Sequence, residues 1–281
     1  MPSANGRLRV MGEHPLADGT VRELQHMSLF SRVRRLFGGE TPERAFVTAV
    51  VLAGGSGTRM GAGEGKLMIE LAGRPILFHT LEAFERARLV DEVVVAAREQ
   101  DLLAVSDLVV EWGLVKTKKI VCGGATRQQS MQAGLGEADE RCRLVAVHDG
   151  ARPFVRPEQI DAVVAQALRT GAAALGVPVK DTLKRVGADG RIRATVDRAE
   201  LYAIQTPQAF GFDELKTALA VAQREELDFT DDCQLFEKMN WPVSVVPGDY
   251  DNIKITTPAD LAVGEAILER RAWGDEDRTR V

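Results

Sequence analysis

The sequence predicts an α/β fold, a doubly wound, mainly parallel, Rossmann-like sheet with a β-hairpin arm. Three observations predict it. From Phe46 onward, short valine-rich apolar runs alternate with amphipathic stretches of helical period; strands buried on both faces read as such runs, and each needs a helix to cross back. The first run, Phe46 to Ala53, ends in glycines. The rhythm breaks once, from Lys180 to Thr206, where polar residues around a Gly187 and Asp189-Gly190 turn suggest a hairpin.

The elements follow in order. Pro75 near the start of Arg74 to Ala87 opens a helix, because proline is pre-set for the first helical turn. Asp91 to Ala97 holds a second buried strand through Val93, Val94 and Val95; Glu99 to Trp112 is helical, Lys119 to Cys122 a short strand and Arg127 to Ala138 a helix. Leu144 to His148 is the third strong strand, Pro157 to Thr170 an amphipathic helix, and Ala172 to Val179 a further strand. Beyond the hairpin, Phe212 to Glu225 and Asp231 to Met239 are helical, and Val243 to Val246 is the last core strand. Thr257, Pro258 and Asp260 then supply a cap, a first-turn proline and a first-turn acid for the final helix.

Residues 1–44 lack this periodicity and are expected to form a poorly ordered extension; the domain is expected over 45–272, with 180–206 as its arm and 273–281 as a tail. Met27 to Phe37 is basic and amphipathic if helical, which fits either a membrane-surface anchor or a loosely ordered extension.

Composition narrows the function. The 281 residues are 45% hydrophobic and 27% charged, an ordinary globular balance. A net charge of −5 gives no bulk attraction for nucleic acid. Cys122, Cys142 and Cys233 form no CxxC and are odd in number, so a reducing, cytoplasmic setting is expected. The four histidines show no zinc spacing, and no apolar run is long enough to span a membrane. An acidic protein that holds a polyphosphate must do so with a local cluster of cations.

Ligands of such sheets bind beyond the carboxyl ends of the strands. After the first strand come Ala53, Gly54, Gly55, Gly57, Thr58 and Arg59, then Lys66. Glycines let backbone N–H groups crowd a phosphate, and the two cations add charge. A tight turn is the alternative. The loop is neither a Walker loop, since no Gly-Lys-Ser/Thr follows, nor a dinucleotide fingerprint, since Met60 takes the third glycine's place. Asp149 and Gly150 close the third strong strand. Asp149 is either a hard-oxygen ligand for Mg²⁺ or an acid paired with Arg152; His148 reads as a packed histidine. Asp251, in a stretch that follows the last core strand and so falls near a sheet edge, is a second carboxylate candidate or part of a surface turn. Gly123 to Ser130 reads as a glycine turn into a helix whose start suits an anion or polar ligand, or as a plain connector.

Taken together, AGGSGTRM (residues 53–60) with Lys66, GGATRQQS (123–130), VHDGARPF (147–154), PVKDTLKR (178–185), TVDR (195–198), QTPQAF (205–210), FTDD (229–232) and DNIKIT (251–256) resemble the cytidylyltransferases acting on 2-C-methyl-D-erythritol 4-phosphate. The resemblance covers Phe46 to Arg271. It departs at Gly150, where the family usually has alanine, a change expected to cost little, and at Gly65, where it often has proline before the loop lysine.

The resemblance implies CMP transfer from CTP to that polyol phosphate, with Mg²⁺, in a homodimer joined through the 180–206 arm. It implies that Arg59 and Lys66 grip the triphosphate, that Asp149 and Asp251 bind metal, and that Gly123, Arg127 and Ser130 surround the cytidine. Arg152, Thr206, Thr230 and Lys254 would form the acceptor pocket, Lys254 with a catalytic role, while Thr182 and Arg198 would reach it from the partner's arm. Ribitol 5-phosphate as acceptor, a nucleotide-binding regulator and a dinucleotide oxidoreductase are the competing readings.

Overall fold

The computed structural model describes residues 44–54, 65–227 and 229–279. Its main sheet has seven strands in the order β11-β7-β10-β6-β1-β4-β5. These are β1 (Phe46–Ala53), β4 (Glu92–Ala97), β5 (Thr117–Cys122), β6 (Cys142–Asp149), β7 (Ala172–Pro178), β10 (Tyr202–Gly211) and β11 (Ser244–Pro247). Two small hairpins stand apart, β2 (Glu70–Leu71) with β3 (Arg74–Pro75) and β8 (Lys184–Val186) with β9 (Ile192–Thr195).

The helices are α1 (Ile76–Arg86), α2 (Leu102–Glu111), α3 (Arg127–Gly136), α4 (Pro157–Thr170), α5 (Phe212–Arg224), α6 (Cys233–Lys238) and α7 (Pro258–Thr279). They cover both faces of the sheet, and β1 shows why. Its Val47, Ala49 and Val51 join the core with α1, α2 and α4, while Val50 and Leu52 join the core with α3, α5 and α6. Alternate side chains point to opposite faces, so an unbroken apolar strand fills both cores.

Within the main sheet all neighbouring pairs are parallel except those of β10, which runs antiparallel to both β6 and β7. β10 is the one long strand that the sequence does not announce, because Gln205, Thr206, Pro207 and Gln208 interrupt its apolar pattern and a proline argues against a central strand. The arm explains its direction. β7 leads into residues 179–201, the chain returns, and Tyr202 pairs with Pro178, so β7, the arm and β10 form one long hairpin.

Two expected boundaries move. Arg44 already belongs to the domain, donating to the Arg88 carbonyl and pairing with Asp91 at 3.1 Å. The expected tail is helical through Thr279 as the end of α7; once a helix is nucleated, each further residue adds a local backbone bond. At the other end of α7, Asp260 accepts from the backbone N–H groups of Thr256 and Thr257, as a first-turn acid should.

Candidate active site

The carboxyl ends of β1, β4, β5 and β6 lie side by side and carry most of the expected site residues. Ala53 pairs with Ala97 and Leu52 with Asp149, so the glycine turn and the aspartate leave adjacent strands at one level. Gly54, Gly123 and Ser130 meet: a Cβ on Gly54 would lie 3.4 Å from Ser130 Oγ, and one on Gly123 only 2.8 Å. Glycine at 123 is therefore required for the close approach. Ser130 Oγ in turn accepts from the Gly124 N–H at 3.2 Å and donates to the Thr126 carbonyl at 3.0 Å. Thr126 and Gln129 cap α3 reciprocally.

Gly55, Gly57, Thr58 and Arg59 lie outside the described residues. Lys66 opens a 3₁₀ turn, Lys66–Met68, preceded by Gly65 at φ 68°. Proline, which the resemblance leads one to expect often at this position, cannot adopt that conformation. Leu67 approaches to 3.1 Å from where a Cβ on Gly150 would stand, and the Leu52 carbonyl to 3.0 Å. Lys66 and Asp149 are thus each one residue from a shared contact. An alanine at 150 would press on the Leu52 carbonyl and on Leu67, so glycine fits this position more closely than the small change expected from the sequence.

Asp149 is the electrostatic centre. It is 9% exposed, and its carboxylate faces Lys254 Nζ at 2.7 Å, Arg127 Nε at 3.4 Å and Arg152 Nε at 3.8 Å. Burial pushes its pKa up, but Lys254 and Arg127 outweigh that and hold it down at about 2. Arg127 is shared. Its Nη1 donates to Asp232 Oδ1 at 2.6 Å, and Asp232 is 2% exposed. Burial raises the Asp232 pKa against the pull of Arg127. Asp232 and Gln208 belong to the site although the sequence does not mark either as a site residue; they lie in the FTDD and QTPQAF stretches. Gln208 orients the pair of acids, accepting from the Asp232 N–H and donating to Asp231 Oδ2. An acid that immediately precedes a short helix, in the FTDD stretch, is the signal that could have marked Asp232.

His148 is fully buried, edge-on to Phe84 with ring centroids 5.1 Å apart, and burial drives its pKa down to about 3. It is a neutral, packed histidine. Thr206 is buried beside it, 3.0 Å from His148 Nδ1. Arg152 donates to the Asn252 carbonyl at 2.8 Å, and Asn252 Nδ2 donates to the Thr206 carbonyl at 3.0 Å.

Four expected residues are not part of this cluster. The Asp251 carboxylate turns to Arg270 and to Arg271, 3.9 Å away, on α7. Two cations from a helix that the sequence places twenty residues on thus claim the second carboxylate expected to join Asp149. Thr182 and Arg198 stand exposed on the arm, where Arg198 bonds the Lys180 carbonyl. Thr230 is exposed, its N–H given to Gln234 Oε1 at 3.0 Å.

Among the described residues the arrangement is a buried carboxylate, Asp149, ringed by three cations at the strand ends that carry Gly54 and Gly123, without an acid–base pair. It suits phosphate chemistry. Comparison with known proteins agrees. A family model described as 2-C-methyl-D-erythritol 4-phosphate cytidylyltransferase matches residues 47–270. Proteins of that name from Halalkalibacterium halodurans and Alkaliphilus metalliredigens are 46% and 42% identical to this chain. The first alignment covers 80% of this chain and 97% of the relative, the second 82% and 96%. Among solved structures, the 4-diphosphocytidyl-2C-methyl-D-erythritol synthase of Anaerococcus prevotii superposes with a TM-score of 0.72 at 33% identity, over 81% of this chain and all of that one. The enzyme of Thermus thermophilus gives 0.64 at 33%, over 78% and 98%. The match runs through every strand of the main sheet and every motif around Asp149, and on that ground the chain belongs to the 2-C-methyl-D-erythritol 4-phosphate cytidylyltransferase family.

Proposed function

We propose that the chain transfers CMP from CTP to 2-C-methyl-D-erythritol 4-phosphate, giving 4-diphosphocytidyl-2-C-methyl-D-erythritol and pyrophosphate in the non-mevalonate isoprenoid pathway. The observation that carries this reading, in a chain of this family, is the convergence of Lys254, Arg127 and Arg152 on Asp149 at the edge of the sheet.

A phosphate oxygen of the acceptor attacks the α-phosphorus of CTP; the new O–P bond forms as the bond to pyrophosphate breaks. A phosphate monoester with its second pKa near 6 is mostly dianionic at pH 7, so no base has to remove a proton. His148, neutral and enclosed, is not asked to. The barrier is the approach of two anions, which at about 4 Å costs roughly 4 kcal/mol at an effective dielectric near 20. Fixed cations offset that cost in the transition state. In this reading Arg59 and Lys66 hold the triphosphate, Gly54, Gly123, Arg127 and Ser130 seat the cytidine, and Arg152 and Lys254 receive the acceptor phosphate.

Magnesium fits the donor set. Mg²⁺ is commonly held by one or two carboxylates together with substrate phosphates, and Asp149 offers one ionised carboxylate while the described residues contain no group of three ligands able to cage a metal alone. Bound there, Mg²⁺ would neutralise charge on the phosphates. A second copy covering the arm accounts for the exposure of Val186 and Ile192, at 54% and 64%, and for Thr182 and Arg198 standing outside their own chain's cluster. Free Cys122, Cys142 and Cys233 suit a cytoplasmic setting, and no described helix is long and apolar enough to cross a membrane.

The test is pyrophosphate release by the full chain with CTP, Mg²⁺ and either 2-C-methyl-D-erythritol 4-phosphate or ribitol 5-phosphate. Release with the first acceptor is expected. Release with the second alone would reassign the substrate, and CTP binding without release on either would make the protein a regulator.

A further inference from the structure

β6 and β10 pair from Leu144 opposite Gly211 to Val147 opposite Gln208, and the ladder stops there. Beyond that point side chains tie the two strands. The Asp149 backbone N–H donates to Thr206 Oγ1 at 3.1 Å, Thr206 Oγ1 lies 3.0 Å from His148 Nδ1, and His148 Nε2 lies 3.2 Å from the Arg152 carbonyl.

Chemistry sets the direction of each bond. A carbonyl only accepts, so Nε2 carries a proton; in the neutral ring that this enclosed site holds, Nδ1 then accepts, and the Thr206 hydroxyl donates to it. The relay runs from the Asp149 N–H to Thr206, from Thr206 to His148, and from His148 to the Arg152 carbonyl. It returns through Arg152 Nη1 to the Asn252 carbonyl and through Asn252 Nδ2 to the Thr206 carbonyl. Thr206 is 4% exposed and His148 0%. A hydroxyl has one proton, and here it is committed to His148. Thr206 therefore has no donor left for an acceptor phosphate.

We propose that His148 and Thr206 are positioning residues of the transfer reaction, fixing where Asp149 and Arg152 meet the reacting phosphates without touching substrate themselves. This rests on the function proposed above. Displacement of catalytic groups by a fraction of an ångström to about 1 Å costs on the order of 10- to 100-fold, so Thr206→Val should lower kcat by that factor with KM for both substrates little changed. Thr206→Ser, which keeps the hydroxyl, should restore most of it. The Thr206→Val, His148→Phe double variant should be no worse than its poorer parent, because the relay acts as one unit.

Nitrogen-15 spectra of the histidine rings supply a readout independent of turnover. His148 should show a neutral ring protonated at Nε2, and its Nδ1 resonance should move in Thr206→Val. Transfer by the unmodified chain is measured alongside, and its absence would sink the functional reading while leaving the spectra to judge the relay. Four results would overturn the proposal: a proton on Nδ1, Thr206→Ser as impaired as Thr206→Val, additive losses in the double variant, or a raised acceptor KM with kcat kept. Should Thr206→Val fail to fold, His148→Phe kinetics and the spectrum of the unmodified chain decide.

Discussion

Replacing Lys254 with methionine removes the closest charge on Asp149 and keeps most of the apolar stem of the side chain. Lys254 Nζ stands 2.7 Å from Asp149 Oδ2, nearer than Arg127 or Arg152. The fall of the Asp149 pKa from 3.8 to about 2 is a net of about 2 kcal/mol, at about 1.4 kcal/mol per tenfold, left after burial has opposed the three cations. The lysine side chain is 41% exposed, so solvent screening leaves its share at about 0.5–1 kcal/mol. Lys254→Met should therefore cost little stability, a fall in Tm of about 2–4 °C at most. Turnover is a different matter. A preorganised charge at a reacting phosphate is worth about 10²–10³ in rate, or roughly 3–4 kcal/mol. Thermal unfolding and pyrophosphate release, measured on one preparation, separate the two. Turnover close to that of the unmodified chain would refute a catalytic role for the cation, and a large loss of Tm would show that the ion pair is structural instead.

Three further outcomes follow from the same geometry. In Asp232→Asn the buried partner of Arg127 loses its charge; since Arg127 keeps Asp149 and is 29% exposed, the loss should be about 3 kcal/mol, the low end for a broken buried pair, read from urea unfolding. A Cβ on Gly134 of α3 would stand 2.4 Å from Val50 Cγ1, and valine is stiff at χ1; Gly134→Ala should destabilise by about 1–3 kcal/mol, and adding Val50→Ala should recover part of the lost Tm. Asp149, whose folded pKa is depressed, contributes stability above its ordinary pKa of 3.8 that is lost as pH falls towards about 2; unfolding free energy measured across that window should fall more steeply in the unmodified chain than in Asp149→Asn.

Local pattern made much of this molecule legible. Apolar runs gave β1, β4 and β6, Pro157 gave the first residue of α4, and Asp260 marked the start of α7. These signals act over a few residues, through helical period, strand alternation and capping. The glycines at 54 and 123 were legible too, although their reason, the seat of Ser130, is a contact between separate strands and a helix.

What the sequence by itself determined is therefore the α/β class, most of its elements and a short roster of charged and glycine positions at their ends. Tertiary structure decided which of those charges meet. Lys254 reaches Asp149, and Arg127 reaches Asp232, across 105 residues of chain; strand order and the long β7–arm–β10 hairpin set both pairings, and no local period encodes them. The same placement turned Asp251 to Arg270, away from the second metal position the sequence suggested, and committed the Thr206 proton to His148. A side chain's partners depend on what the folded sheet brings within about 3 Å, the range over which hydrogen bonds act, and that distance is fixed only when the chain has closed on itself.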